Sequence, residues 1–289
     1  MQEIMGNSLF MGGVSIVTTG DFGQLPPVKD RMIWESSHLD GRPDIAPMYW
    51  NDHFSIYYLS QKMRSQDNEF SVICDHVRKG ICDTKVQNYM KEHVRQCPNE
   101  NNHAMYQSGK LCIIVTTNDD RERINREKLH QLLPDKKSYI VSSTDQATNS
   151  RNPPPLSENL PISKTGQLES QIVFKEGAPV MITTNHDNKK YKNNGIVNGS
   201  RGYIDSIQTD KGNSDVAEVI WVRFNDDKTG QLLRQDNKIL LRDHRPNDPL
   251  AVPIKKRKKT FSLTGNVNWV REQYPLTLCY AITSHKASK

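Results

Sequence analysis

Two side chains in this sequence have types and settings suited to holding an anionic ligand, Gln24 and Arg64. Gln24 sits in Gly20-Asp21-Phe22-Gly23-Gln24-Leu25-Pro26-Pro27-Val28, which follows the apolar run Val14-Ser15-Ile16-Val17. A β-branched run that stops at Gly-Asp reads as a buried strand delivering polar side chains to its carboxyl end. Open α/β sheets bind ligands at that end. Pro26 and Pro27 stiffen the exit, since proline fixes φ and removes an amide donor. Arg64 carries a permanent charge on a planar donor fork that matches phosphate geometry. Plain alternatives stand beside both: Gln24 as a hydrogen-bonding turn residue, Arg64 as half of a surface ion pair.

The elements that must position these groups follow from periodicity. Asp67 occupies an N-cap position ahead of Phe70, Ile73, Cys74 and Val77 at helical spacing, and Gly80 supplies the stop. A second helix is expected after Asp83-Thr84, burying Val86, Tyr89, Met90 and Val94. Leu111-Cys112-Ile113-Ile114-Val115 reads as a strand. Asn118-Asp119-Asp120 then caps a helix that buries Ile124, Leu129, Leu132 and Leu133. Strand, polar turn and helix make an α/β unit. Residues 29–58 are irregular and aromatic, expected under the sheet, and residues 142–160 read as a mobile polar surface loop. Residues 194–202, rich in Asn and Gly, offer positive-φ positions and exposed amides that can approach a phosphate. Alternating runs at 203–207 and 216–224, with strands near Val252 and Phe261, suggest a small antiparallel barrel. Lys255-Lys256-Arg257-Lys258-Lys259 reads as a solvated edge strand, with a nuclear signal or a phosphate-contacting patch as alternatives. Residues 275–283 return to a buried strand, and Ser284-His285-Lys286 follows its end.

With 289 residues, two domains are expected. The net charge of +6 favours an anionic partner such as nucleic acid. No apolar run approaches the roughly 20 residues of a membrane span. The first residues lack the basic segment and apolar core of a secretory signal, which points to an intracellular protein. Five cysteines without a CxxC pair suit burial in a reducing compartment better than zinc or disulfides, so no metal site is expected.

Residues 20–28 resemble the third helicase motif of the PIF (petite integration frequency) family of DNA helicases. Further stretches resemble other motifs of that family, in its order. Leu59-Ser60-Gln61-Lys62-Met63-Arg64, with Asp67, Phe70 and Arg78-x-Gly80, is similar to the fourth. Thr117-Asn118 with Ile124-Asn125 resembles the next strand and helix. Gly177-x-Pro179-Val180-Met181 with Asn198-Gly199-Ser200-Arg201-Gly202 is similar to the fifth. Arg271-Glu272-Gln273-Tyr274-Pro275-Leu276, then Tyr280-Ala281-Ile282-Thr283-Ser284-His285-Lys286, is similar to the sixth.

The resemblance implies an α/β fold with RecA-like, P-loop NTPase-type sheets. Residues 1–58 would end a first, incomplete RecA-like domain, 59–202 and 271–289 would form the second, and 203–270 an inserted SH3-like barrel. It implies an ATP-dependent DNA helicase using ATP and Mg2+ and moving on single-stranded DNA, nuclear in a eukaryote. Gln24 would sense the γ-phosphate or orient water, Arg64 would reach the nucleotide from the second domain, and Lys286 would be a further phosphate-directed cation. Asn118, Asn198, Gly199, Arg201 and His285 would lie at or beside the single-strand groove.

Gly-x4-Gly-Lys-Ser/Thr and Asp-Glu occur nowhere in the sequence. Nothing therefore cradles the β- and γ-phosphates or places a hydroxyl on Mg2+. The chain is expected to be truncated at both ends, with an ATP-binding half missing, and catalytically incomplete alone. The alternatives are an ATP-independent single-strand-binding module and a transposon-derived relic.

Overall fold

The computed structural model describes residues 1–22, 32, 35, 50–59, 67–95, 101–149, 155–156, 160–210, 212–244, 246–263 and 267–287, with only the backbone at 94, 95 and 285. The chain divides into two units, residues 1–97 and 98–289.

In the first unit, α1 (Gln2–Met5) ends on Gly6 in the left-handed region, and a short 3-10 turn follows at Phe10–Gly13. Asp67 caps α2 (Asn68–Arg78) by accepting from the Phe70 amide at 3.0 Å. That satisfies one of the donors a helix start leaves open. The helix stops as expected, with Gly80 at φ 71°. Asp83 accepts from the Val86 amide at 2.9 Å at the start of α3 (Thr84–Arg95), and His76 at the end of α2 lies 3.0 Å from Asp83. Ile73 and Val86 are the buried residues of this helix pair, whereas Phe70, Val77 and Met90 stay exposed.

The strand expected at residues 14–17 does not form. The backbone there carries no regular structure, and Val17 is 89% exposed. A strand exists only where a neighbour completes its ladder, and this unit has no strand among its described residues. Of the aromatic stretch, Trp50 packs on Phe54 and Phe22, but Tyr57 and Tyr58 are exposed. Most of residues 29–58 lies outside the described set.

Among the described residues, the second unit is built on four open sheets. β1 (Ile113–Val115) runs parallel to β12 (Ala281–Thr283). β2 (Tyr139–Ser142) and β4 (Gln171–Phe174) form an antiparallel pair. β5 (Pro179–Ile182), β6 (Arg201–Asp210), β7 (Asn213–Phe224), β8 (Val252–Ile254) and β11 (Leu276–Leu278) make a five-stranded antiparallel sheet in the order β11-β5-β6-β7-β8. β3 (Thr144–Ala147), β10 (Asn268–Gln273) and β9 (Arg257–Ser262) make a three-stranded sheet with β10 in the centre.

The strands of the stretch expected as a barrel, 203–270, lie in two sheets: β6, β7 and β8 extend the sheet of β5 and β11, while β10 pairs with β3 on one side and β9 on the other. Alternation locates strands but says nothing of their non-local partners. β3 also falls inside the stretch read as a mobile loop, where Thr144-Asp145-Gln146-Ala147 forms a strand because β10 lies alongside. Residues 275–283 split in two, because β11 pairs with β5 and β12 with β1. The basic run enters edge strand β9, where lysines oppose intermolecular pairing.

Among the described residues this unit also has the long α5 (Asn118–Leu132) and the short helices α4 (His103–Gln107), α6 (Lys189–Asn193), α7 (Gln231–Asp236), α8 (Lys238–Asp243) and α9 (Ser284–Ala287). α5 starts one residue earlier than the Asn118-Asp119-Asp120 cap predicted. Thr117 is the N-cap, its hydroxyl oxygen accepting from the Asp120 amide at 3.1 Å. At the other end, the buried Lys175 ammonium donates to the Leu133 carbonyl at 2.7 Å, a cation set on the negative helix terminus. Leu129 and Leu133 are buried as expected, and Phe174, Ile204, Ile220, Val222, Tyr274 and Tyr280 fill the same core. Among the described residues no helix is long and apolar enough to cross a membrane.

Candidate functional site

The parallel register of β1 and β12 sets Val115 opposite Thr283. Both chains therefore leave at the same sheet edge, which brings Thr117-Asn118 and Ser284-His285-Lys286 to one place. This is the carboxyl end at which α/β sheets hold ligands. Asn118 is exposed in the first turn of α5. Lys286 is partly buried rather than fully solvated, and its charge acts on Glu169. Burial pushes the Glu169 carboxyl above the usual range. The Thr277 hydroxyl, which donates to it at 2.7 Å, and the cations Arg121 and Lys286 pull it back. The Arg121 guanidinium lies 3.9 Å away.

Three polar residues beneath this edge form its frame. Asn125 is 4% exposed; its amide donates to the Leu278 and Ala281 carbonyls and accepts from the Ala281 amide at 2.8 Å. It clamps the bend between β11 and β12. Arg271 is 2% exposed and forms a two-pronged pair with Asp145, both bonds 2.8 Å, while a third donates to the Leu168 carbonyl. Gln273 is fully buried, donating to the Val141 carbonyl at 3.1 Å and accepting from the Tyr274 amide. Buried polar groups are tolerated only when paired in this way. Sequence reading marked the motifs containing all three but not these positions, because a buried Asn or Arg has no periodic signature. Glu169 and Arg121 had no signal at all.

The loop from Asn185 to Arg201 forms a second group. Gly199 has φ 98° and donates to the Ile182 carbonyl, while the Asn198 amide donates to the Asn185 side chain. Asn198 and Gly199 are both exposed. Arg201 opens β6, and its guanidinium makes no hydrogen bond or ion pair among the described residues. It lines a cleft with Tyr106, Leu111, Cys112, Asn225 and Cys279. Cys112 immediately precedes β1, and the Arg201 charge acts on it; the charges of Arg201 and Lys286 both act on Cys279.

In the same loop, burial together with Arg257 and Lys259 pushes His186 down to about 4, against the opposing pull of Asp187. Its Nδ1 accepts from the Asn188 amide at 3.0 Å. The folded loop holds a neutral imidazole, whereas the unfolded chain binds a proton below 6.5. Stability from this group is therefore present above 6.5 and is lost as pH falls toward 4. A His186→Ala variant is expected to show a flatter dependence of its urea midpoint across that window than the parent chain.

In the first unit, the Arg78 guanidinium meets Asp21 through two bonds of 3.3 and 3.1 Å, joining two of the motif stretches. Gln24 and Arg64 lie outside the described residues. Among the described residues no cluster of His, Cys, Asp or Glu could hold a metal ion.

No family model matches the chain. It is 26% identical over 289 residues to the ATP-dependent DNA helicase PIF1 of Xenopus laevis, covering 99% of this chain and 37% of that protein. The Pif1 helicase of Candida albicans superposes with a TM-score of 0.57 at 17% identity, over 99% of this chain and 58% of the other. Bacteroides Pif1 bound to ssDNA gives 0.52 at 18% identity, over 99% and 56%. The chain spans about half or less of the length of the curated relatives first matched, 37% and 52%. The shared fold is the RecA-like helicase fold. With its motifs in that family's order, the chain is similar along nearly its whole length to DNA helicases of the PIF family.

Proposed function

We propose that the chain is the part of an ATP-dependent DNA helicase that grips single-stranded DNA while ATP hydrolysis drives translocation and unwinding. The observation that carries this reading is the family order of five motif stretches between residues 10 and 286. The guanidinium of Arg201, without a hydrogen bond or ion pair among the described residues, next to the exposed Asn198 and Gly199 supports it further. In this reading residues 1–58 end a first RecA-like domain, 59–202 and 271–289 form the second, and 203–270 are its insert. Gln24, Arg64 and Lys286 face the nucleotide, with Mg2+ as its counter-ion. Asn118, Asn198, Gly199, Arg201 and His285 follow the DNA backbone, inside the cell and, in a eukaryote, in the nucleus.

These 289 residues contain neither Gly-x4-Gly-Lys-Ser/Thr nor Asp-Glu. The chain alone is therefore expected to bind single strands without hydrolysing ATP. The test is fluorescence anisotropy with a labelled oligo-dT at two salt concentrations, beside a DNA-stimulated ATPase assay. Binding should weaken steeply with salt. Arg201→Ala should lower affinity roughly three- to tenfold and reduce the salt slope by about one. Salt-independent binding would overturn the DNA reading. ATP hydrolysis that disappears in Gln24→Ala would overturn the incompleteness of the chain.

A further inference from the structure

Cys112 and Cys279 are far apart in sequence and adjacent in the fold. Cys112 precedes β1, and Cys279 lies in the bend between β11 and β12. The Ile113 amide donates to the Tyr280 carbonyl at 2.9 Å, which fixes the two stretches side by side. The Cys112 thiol donates to the Cys279 carbonyl oxygen at 3.7 Å. Met181 and Ile282 pack around them. Both cysteines are free.

Their surroundings differ in a useful way. Cys279 is 5% exposed, whereas Cys112 is partly exposed, and both line the cleft that holds Arg201. The hydrogen bond from Cys279 and then the Arg201 charge hold the Cys112 thiol below its ordinary range, against burial. The same bond and burial push Cys279 well above. A thiol near a cation, reachable from solvent and beside a second thiol, has the attributes of an oxidisable cysteine with a resolving partner.

We propose that Cys112 and Cys279 form a peroxide-responsive dithiol, in which Cys112 is oxidised and Cys279 closes the disulfide. The Cys112 thiolate attacks the O–O bond of hydrogen peroxide, forming an S–O bond and expelling hydroxide. The Cys279 sulfur then attacks the Cys112 sulfur, the S–O bond breaks, and the departing hydroxide takes the Cys279 proton as water. Two sulfurs lose two electrons in total and the peroxide gains them. The bond ties the entrance of β1 to the bend ahead of β12 and removes the thiolate beside Arg201. This inference is independent of the helicase reading.

The test uses the purified chain, a small molar excess of hydrogen peroxide, alkylation of remaining thiols and peptide mass spectrometry. Two of the five thiols should be lost, with a linked peptide joining Cys112 to Cys279, while the exposed Cys74 and Cys82 remain alkylated. In Cys279→Ser the linked peptide should vanish and dimedone should trap a sulfenic acid on Cys112. Oxidation of Cys74 or Cys82 ahead of Cys112, or no linked peptide in the parent chain, would overturn the proposal.

Discussion

Arg271→Ala is expected to lower the stability of the second unit by about 3–5 kcal/mol, because it strands a carboxylate that is now matched. Arg271 and Asp145 join through two parallel bonds of 2.8 Å, the geometry in which a guanidinium and a carboxylate bind most strongly. The side chain also donates to the Leu168 carbonyl, so one truncation removes three hydrogen bonds. β3 would lose its side-chain tie to β10, the strand it pairs with. Urea unfolding followed by circular dichroism measures the effect, and replacing both partners with apolar residues provides the control. Arg271→Met with Asp145→Leu should recover much of the loss, since a buried pair stabilises little beyond a well-packed apolar one. A midpoint unchanged in Arg271→Ala would mean that the pair contributes nothing.

Gly202→Ala should be comparably damaging for a different reason. Gly202 lies in β6 between β5 and β7, opposite Val180 and Phe224. A Cβ there would stand 2.3 Å from the Arg223 carbonyl oxygen and 2.8 Å from the Phe224 Cα, both main-chain atoms. No rotamer change relieves a clash with backbone, so β7 must move and the ladder on either side must follow. Overpacking usually costs about 1–3 kcal/mol, and this geometry belongs at or above the upper end. Gly199→Ala supplies the contrast. Nothing lies within 4 Å of its Cβ position, and only its φ of 98° opposes a side chain. About 1–2 kcal/mol is expected there. Urea midpoints of the two variants should therefore rank Gly202→Ala well below Gly199→Ala, and the reverse order would refute the clash argument.

Local elements of this fold were readable in the sequence, and long-range ones were not. The Asp67 cap, the Gly80 stop and the strand at Ile113–Val115 depend on neighbours a few residues away, and they form where expected. The run at residues 14–17 has the same β-branched character, yet it remains without a ladder among the described residues. Hydrophobicity marks a segment able to pair, whereas pairing needs a second segment. The same limit explains why strands assigned to a small barrel lie in two sheets. Motif order named Asn118, Arg201 and Lys286 as candidates for the site. What it did not reveal was that Asn125, Arg271 and Gln273 in the same motifs are buried connectors, since composition does not distinguish a polar residue that meets a ligand from one that holds a bend.

The pairing of β1 with β12 has a consequence for how the second unit assembles. β10 is the centre of one sheet, β11 the edge of another, and β12 the partner of a strand that begins at Ile113. Three of the four sheets among the described residues are therefore unfinished until residues 268–283 are available. Contacts so distant along the chain slow folding, because loop closure must be completed before any pairing energy is returned. During synthesis, the ladder positions of β1, β3 and β5 wait open while the ribosome completes the remainder, and an early collapse would expose unpaired edges to other chains. A nascent chain halted before residue 268 is expected to remain dependent on chaperones.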